Sequence, residues 1–151
     1  GSFKFLNRLI KIVNETKIPI KKINLETVDR NNFPLTKIHQ TINEVTIGIE
    51  KFSFNVCIAK LYELTSTLSR LDVSDTLEVN IRFFGLKVLA QLIAPFAPHH
   101  AEEIWSLLGQ KKLVCEVKWP KADFTFLNFD HGPFARKRCY YPKTRLYAGF
   151  Q

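Results

Sequence analysis

From residue 35 to residue 94 the apolar side chains recur at steps of three and four, with two short interruptions. That spacing fits a 3.6-residue turn and not the two-residue alternation of a strand, so the chain must bury these side chains by packing helices together. One stripe, Ile38, Ile42, Val45, Ile49 and Phe52, predicts a helix over residues 35–51. After "KFSFN" the rhythm resumes on a new phase at Phe54, Cys57, Leu61, Leu64, Leu68 and Leu71, and so short a break predicts antiparallel neighbours. A further helix should open at "SDTLE", where Asp75 can accept from exposed amides of the first turn and Glu78 can reach back, as in a capping box. Its body, residues 77–94, is apolar around most of its circumference (Ile81, Phe83, Phe84, Leu86, Val88, Leu89, Leu92, Ile93), which predicts the most buried element at the bundle centre.

The segment "APFAPHHAEEIW", residues 94–105, packs two histidines and two glutamates beside two prolines. His99 and Glu103 are four apart and could share a helical face, the arrangement of a metal or acid-base site, but no HExxH string or second ligand cluster accompanies them. The backbone reading is stronger. Pro95 ends one helix, Pro98 suits the first turn of the next, and Glu102 and Glu103 fall near its positive end. Ala101, Ile104, Trp105 and Leu108 then form a buried stripe, and Gly109 suits the left-handed position that closes a helix. The stretch is predicted to be a corner between two helices.

Residues 3–15 repeat the helical period at Phe3, Leu6, Leu9, Ile10 and Val13, with Lys4, Arg8 and Lys11 together on another face. Three cations so spaced can track phosphates, although an ordinary solvated face has the same pattern. "TKIPIKKINLETVDRNNFP" follows, broken by Pro19, Asn31, Asn32 and Pro34, and is predicted to be a long connection presenting Lys21 and Lys22 with the same two readings. "LVCEVKW", residues 113–119, alternates enough to suggest a short strand or extended arm. Beyond it, "RKR" at 136–138 beside Tyr140 and Tyr141 combines charge with stacking surfaces, as single-stranded nucleic acid requires.

The expected fold is therefore all-α, a bundle of about five helices with a short extended segment and an irregular C-terminal tail. The bundle is expected over residues 3–123 and the tail over 124–151, divergent or vector-derived, with Gly1-Ser2 a cloning scar on an excised domain, since the sequence contains no methionine. At 151 residues and 46% apolar content one domain with a real core is expected. The excess of 22 Lys and Arg over 14 Asp and Glu, +8, favours polyanionic partners. Cys57, Cys115 and Cys139 are odd in number and form no CxxC pair, which points to reduced thiols in a cytoplasmic protein. No apolar run approaches the roughly 20 residues of a membrane span, so no membrane partner is expected. No GxSxG, P-loop or GxGxxG string occurs, so no catalytic residue and no metal site is assigned.

Three stretches, "KFLNRLIKIV" (4–13), "KIHQTINEVTIGIEKFSFNVCIAKLYEL" (37–64) and "LAQLIAPFAPHHAEEIWSLLG" (89–109), resemble the anticodon-binding domain of bacterial-type leucyl-tRNA synthetases, which are class Ia aminoacyl-tRNA synthetases. "VKWP" (117–120) also fits that family's exit from the bundle. The resemblance covers residues 3–123 and implies tRNA(Leu) and the other domains of a parent leucine–tRNA ligase as partners. ATP and magnesium belong, by the same implication, to the parent, whose "HIGH" and "KMSKS" strings are absent here; this segment itself is expected to need no cofactor. Arg8 matches the basic residue of the family's "FLNR", which strengthens its own assignment to phosphate, and Lys4, Lys11, Lys21 and Lys22 complete the expected tRNA-binding set. By the same matching His39, Thr41, Phe54 and Asn55 are architectural and Trp105 is core. The tail does not resemble the small domain that follows in bacterial enzymes. The alternative to RNA docking is a helical protein-interaction module with a solvated basic face.

Overall fold

A computed structural model describes residues 2–127. Five helices make the bundle: α1 (Ser2–Glu15), α2 (Phe33–Glu50), α3 (Phe54–Ser69), α4 (Thr76–Ile93) and α5 (Pro98–Leu107). A single helical turn, α6 (Phe124–Leu127), follows, and there is no strand among the described residues. The all-α bundle inferred from periodicity is thus the observed fold. "LVCEVKW" is the exception. Val114–Glu116 forms a 3-10 turn, closed by the Glu116 carboxylate accepting from the Leu113 N–H at 2.9 Å, and the alternation continues into irregular chain.

α2 and α3 are antiparallel, as their partners show. Lys37, early in α2, meets Glu63, late in α3, at 2.8 Å, whereas Glu44, further along α2, meets Lys60, earlier in α3, at 3.4 Å. Close approach is secured by small side chains, for a Cβ on Gly48 would run into the Cys57 sulfur, and one on Gly85 would lie 2.6 Å from Leu68 and 3.1 Å from Ile38. α4 packs against α2, α3 and α5 and carries more buried residues than any other helix, the central position its composition predicts. Its cap differs in one respect. Asp75 accepts from the Glu78 N–H at 2.9 Å, but the Glu78 carboxylate takes the Asp72 N–H instead of that of Asp75, so it secures the loop and not the cap residue.

Other expectations fail for identifiable reasons. α1 is rotated from its predicted stripe: Phe5, Leu9, Ile12 and Val13 are buried while Leu6 and Ile10 are only partly so, because α1 packs against both α3 and α5, with the Phe5 ring 4.2 Å from that of Tyr62. Phe52 does not close the α2 stripe. The helix ends before it, Phe52 takes φ of 55°, and its side chain swings out to 80% exposure. Phe54, placed in the α3 stripe, is 46% exposed, and Asn55 is exposed as well. Within the apolar run of α4, Arg82 is 4% exposed, its guanidinium donating to the Thr16 hydroxyl (2.7 Å), the Leu71 carbonyl (3.2 Å) and the Ile12 carbonyl (3.3 Å). It ties the end of α1 to the loop before α4.

The core continues beyond Asp123. Phe126 is buried, its ring stacked 4.7 Å from that of His39 and its centroid 4.3 Å from the Arg30 guanidinium. The boundary expected at residue 123 therefore cuts through packed structure. "RKR", Tyr140, Tyr141 and Cys139 lie outside the described residues.

A candidate nucleic-acid interface

The proline corner forms as its sequence dictates. α4 stops at Ile93, Pro98 occupies the first turn of α5, and Ala101, Ile104, Trp105 and Leu108 are buried. Trp105 is 5% exposed and its indole N–H donates to the Lys112 carbonyl at 2.9 Å. Gly109 adopts φ of 77°, and the Gln110 N–H reaches the Trp105 carbonyl across the helix end. The glutamates have a different task from the one expected. Neither lies in the first turn of α5; Glu102 accepts from the Val114 N–H at 2.9 Å and the Cys115 N–H at 3.4 Å, fastening the following 3-10 turn to α5. With Glu102 so committed and His99 exposed, the His and Glu side chains do not converge, and no cluster of three or more His, Cys, Asp or Glu suited to a cation occurs among the described residues.

The cations assigned from the sequence are all at the surface. Lys4, Arg8 and Lys11 project from α1 into solvent. Arg8 leans on the end of α3, donating to the Ser69 hydroxyl at 3.4 Å, and Lys11 sits 4.0 Å from Glu15. Lys21 and Lys22 are exposed on the long connection, which is held against α4 by one side chain. Asn80 donates to the Lys21 carbonyl at 2.9 Å and accepts from the Ile23 N–H at 3.2 Å. Asn80 thus flanks Lys22, and Lys87 lies seven residues further along α4. Burial first, and the neighbouring Lys22 charge second, push the Lys87 ammonium down from its usual pKa. The Lys22 charge thus acts on a lysine that the sequence pattern had hidden inside a buried helix.

Lys87 lies on the wall of a groove of about 330 Å³ lined also by Phe84, Gln91, Trp105, Lys111 and Lys112. Its ammonium stands 5.6 Å from the Phe83 ring centroid. No ion pair within 4.0 Å joins Lys22, Lys87, Lys111 or Lys112 to a carboxylate among the described residues. His39 and Thr41, assigned to the architecture, are buried: His39 accepts the Asp123 N–H at 3.0 Å and Thr41 donates to the Lys37 carbonyl at 2.8 Å. Burial chiefly, opposed by the Asp123 carboxylate, holds the His39 pKa below its usual value.

A bundle with this corner and this closing turn belongs to a known class. The profile of the anticodon-binding domain of tRNA ligase matches residues 33–138, and the chain belongs to that family. Within it the relatives are leucine–tRNA ligases: that of Cereibacter sphaeroides (strain ATCC 17025) is 51% identical over 84 residues, 56% of this chain and 9% of its own length. That of Clostridium botulinum (strain Langeland) is 38% identical over 125 residues, 80% of this chain and 15% of its own. The chain thus spans only 9 to 15% of these relatives. Among solved structures, the Agrobacterium radiobacter K84 agnB2 LeuRS in its ternary complex with tRNA and LeuAMS superposes with a TM-score of 0.67 at 25% identity, covering 82% of this chain and 16% of that one. The resemblance to leucyl-tRNA synthetases drawn from the three sequence stretches is the one these comparisons return.

Proposed function

We propose that the chain is the tRNA-docking bundle of a leucine–tRNA ligase, holding tRNA(Leu) while separate domains of the parent attach leucine. The observation that carries this reading is the match of 82% of the chain to a synthetase solved together with tRNA, and the net charge of +8 supports it. Leucine activation, with its ATP and magnesium, falls to the parent's catalytic domain, and a cytoplasmic setting follows from that work. No helix among the described residues is long and apolar enough to cross a membrane. Lys4, Arg8, Lys11, Lys21 and Lys22 are the proposed contacts, engaging phosphates and the shape of the RNA more than base edges.

The test is a filter-binding titration of the 151-residue chain with tRNA(Leu) at several salt concentrations. Binding should weaken steeply with salt, and Lys4→Glu, Arg8→Glu and Lys11→Glu combined should weaken it by about tenfold or more. A folded chain without measurable tRNA affinity would overturn the reading.

A further inference from the structure

We propose that the groove between α4 and the segment after α5 is a second phosphodiester-binding site, formed by Lys87, Lys111 and Lys112 with Lys22 as an outlying charge, across which the RNA backbone runs. The inference rests on the tRNA-docking reading and extends it to Lys87, Lys111 and Lys112, which neither the periodicity nor the family resemblance singled out. Two segments line the groove with cations, α4 with Lys87 and the turn after Gly109 with Lys111 and Lys112, and the charge of Lys22 on the long connection is felt at Lys87. Each segment is fixed independently of any ligand. Asn80 clamps the connection, Lys87 lies in the last turns of a buried helix, and the Trp105 indole holds the Lys112 carbonyl.

The charges are gathered without compensation. None of the four ammonium groups has a carboxylate within 4.0 Å among the described residues, whereas the lysines on the α2–α3 face, Lys37 and Lys60, are paired with Glu63 and Glu44. Mutual repulsion among unpaired cations is a cost in the free protein, and an anion laid across them removes it. A single small anion would reach only part of an array drawn from three segments, so the complementary ligand is a polyanion with repeated charges. Phe84 and Trp105 also line the groove, adding apolar surface beside the cations on which the sugar and base of one nucleotide can rest. An acidic peptide is the competing occupant, and the likeness of the bundle to a synthetase solved together with tRNA favours RNA.

The experiment measures affinity for tRNA(Leu) against salt for the 151-residue chain, the Lys111→Gln, Lys112→Gln double variant and the Lys87→Gln variant. Lys111 and Lys112 are exposed, and the Lys112 contact to Trp105 is made by its backbone, so the double variant keeps the fold, which a thermal melt verifies. Expected is a loss of affinity of about tenfold in the double variant, with the slope of log affinity on log salt falling by about 2, and by about 1 for Lys87→Gln. Unchanged affinity and slope, while the α1 charge reversal still weakens binding, would overturn the groove and leave the docking reading standing. A folded wild-type chain that fails to bind tRNA would overturn both. Displacement of tRNA by poly-glutamate at equal charge concentration would assign the groove to an acidic protein and overturn the RNA proposal.

Discussion

The turn from α2 to α3 and the corner from α4 to α5 solve the same problem with opposite residues. At the corner, proline supplies the stop and the start, and α5 closes on Gly109, whose φ of 77° costs glycine little. At the other turn, α2 closes through a Phe52 at φ of 55°, with the Ser53 N–H bonded to the Gly48 carbonyl at 2.8 Å. That is the backbone of a left-handed helix stop, occupied by a residue with a Cβ penalty. The aromatic rings follow the same division. Trp105 is enclosed, whereas Phe54 lies half outside, in edge contact with Phe52 and Phe96 at 6.0 and 5.8 Å. Where backbone demand and residue type agree, a turn can be recognised in the sequence; where tertiary contacts override the local preference, it cannot.

The two turns should respond differently to mutation. Trp105→Ala should destabilise the bundle by about 3–5 kcal/mol, since it opens a large cavity and leaves the Lys112 carbonyl without its donor. Phe54→Ala should cost less than about 1 kcal/mol, and equal losses in denaturant titrations would break the contrast. Next in size, Gly109→Ala should destabilise by about 1–2 kcal/mol while Phe52→Gly should stabilise by about 1 kcal/mol, opposite signs for the same backbone conformation. A Cβ on Gly109 would also lie 3.2 Å from the Ile18 methyl, so the long connection should loosen in hydrogen exchange. Glu102→Ala should cost about 1 kcal/mol and raise exchange at the Val114 and Cys115 amides, which lose their acceptor.

A pH test sharpens the comparison at the start of α2, where closure depends on His39 and not on backbone chemistry. The folded-state pKa of His39 is lowered, chiefly by burial, so the unfolded chain binds its proton more readily. Stability should therefore be full above the unfolded value and decline as pH falls through it toward the folded value. Protonation also removes the acceptor for the Asp123 N–H. His39→Gln should flatten this dependence of the thermal midpoint on acid; an unchanged profile would assign the acid loss to other groups.

Much of the bundle was legible because its helices announce themselves by period and by punctuation: the α4 cap at Asp75, the prolines at 95 and 98, and Gly109. What escaped depends on distant partners. Arg82 sits in an otherwise apolar run, and nothing near it in sequence reveals that the carbonyls of Ile12 and Leu71 await a donor. Glu102 looked like a helix-dipole residue because the N–H groups that donate to it, those of Val114 and Cys115, are twelve and thirteen positions away. Phe126 could not be assigned to the core without knowing that the His39 ring lies in wait for it. The surface cations of α1 followed from spacing alone, but the groove of Lys87, Lys111 and Lys112 needed the segment after α5 laid against α4. Helical period carries the scaffold; the assembly of charges across segments is a property of the packed molecule.

The Asn80 clamp has a kinetic and entropic side. By holding both the Lys21 carbonyl and the Ile23 N–H, it divides one long loop into two shorter spans and fixes the backbone on either side of Lys22 before any ligand arrives. An unclamped loop would have to be ordered during association, slowing productive encounters and weakening them. With the clamp in place the connection is a preorganised arm, so in the proposed docking a single buried amide would set how quickly, as well as how tightly, a polyanion is received.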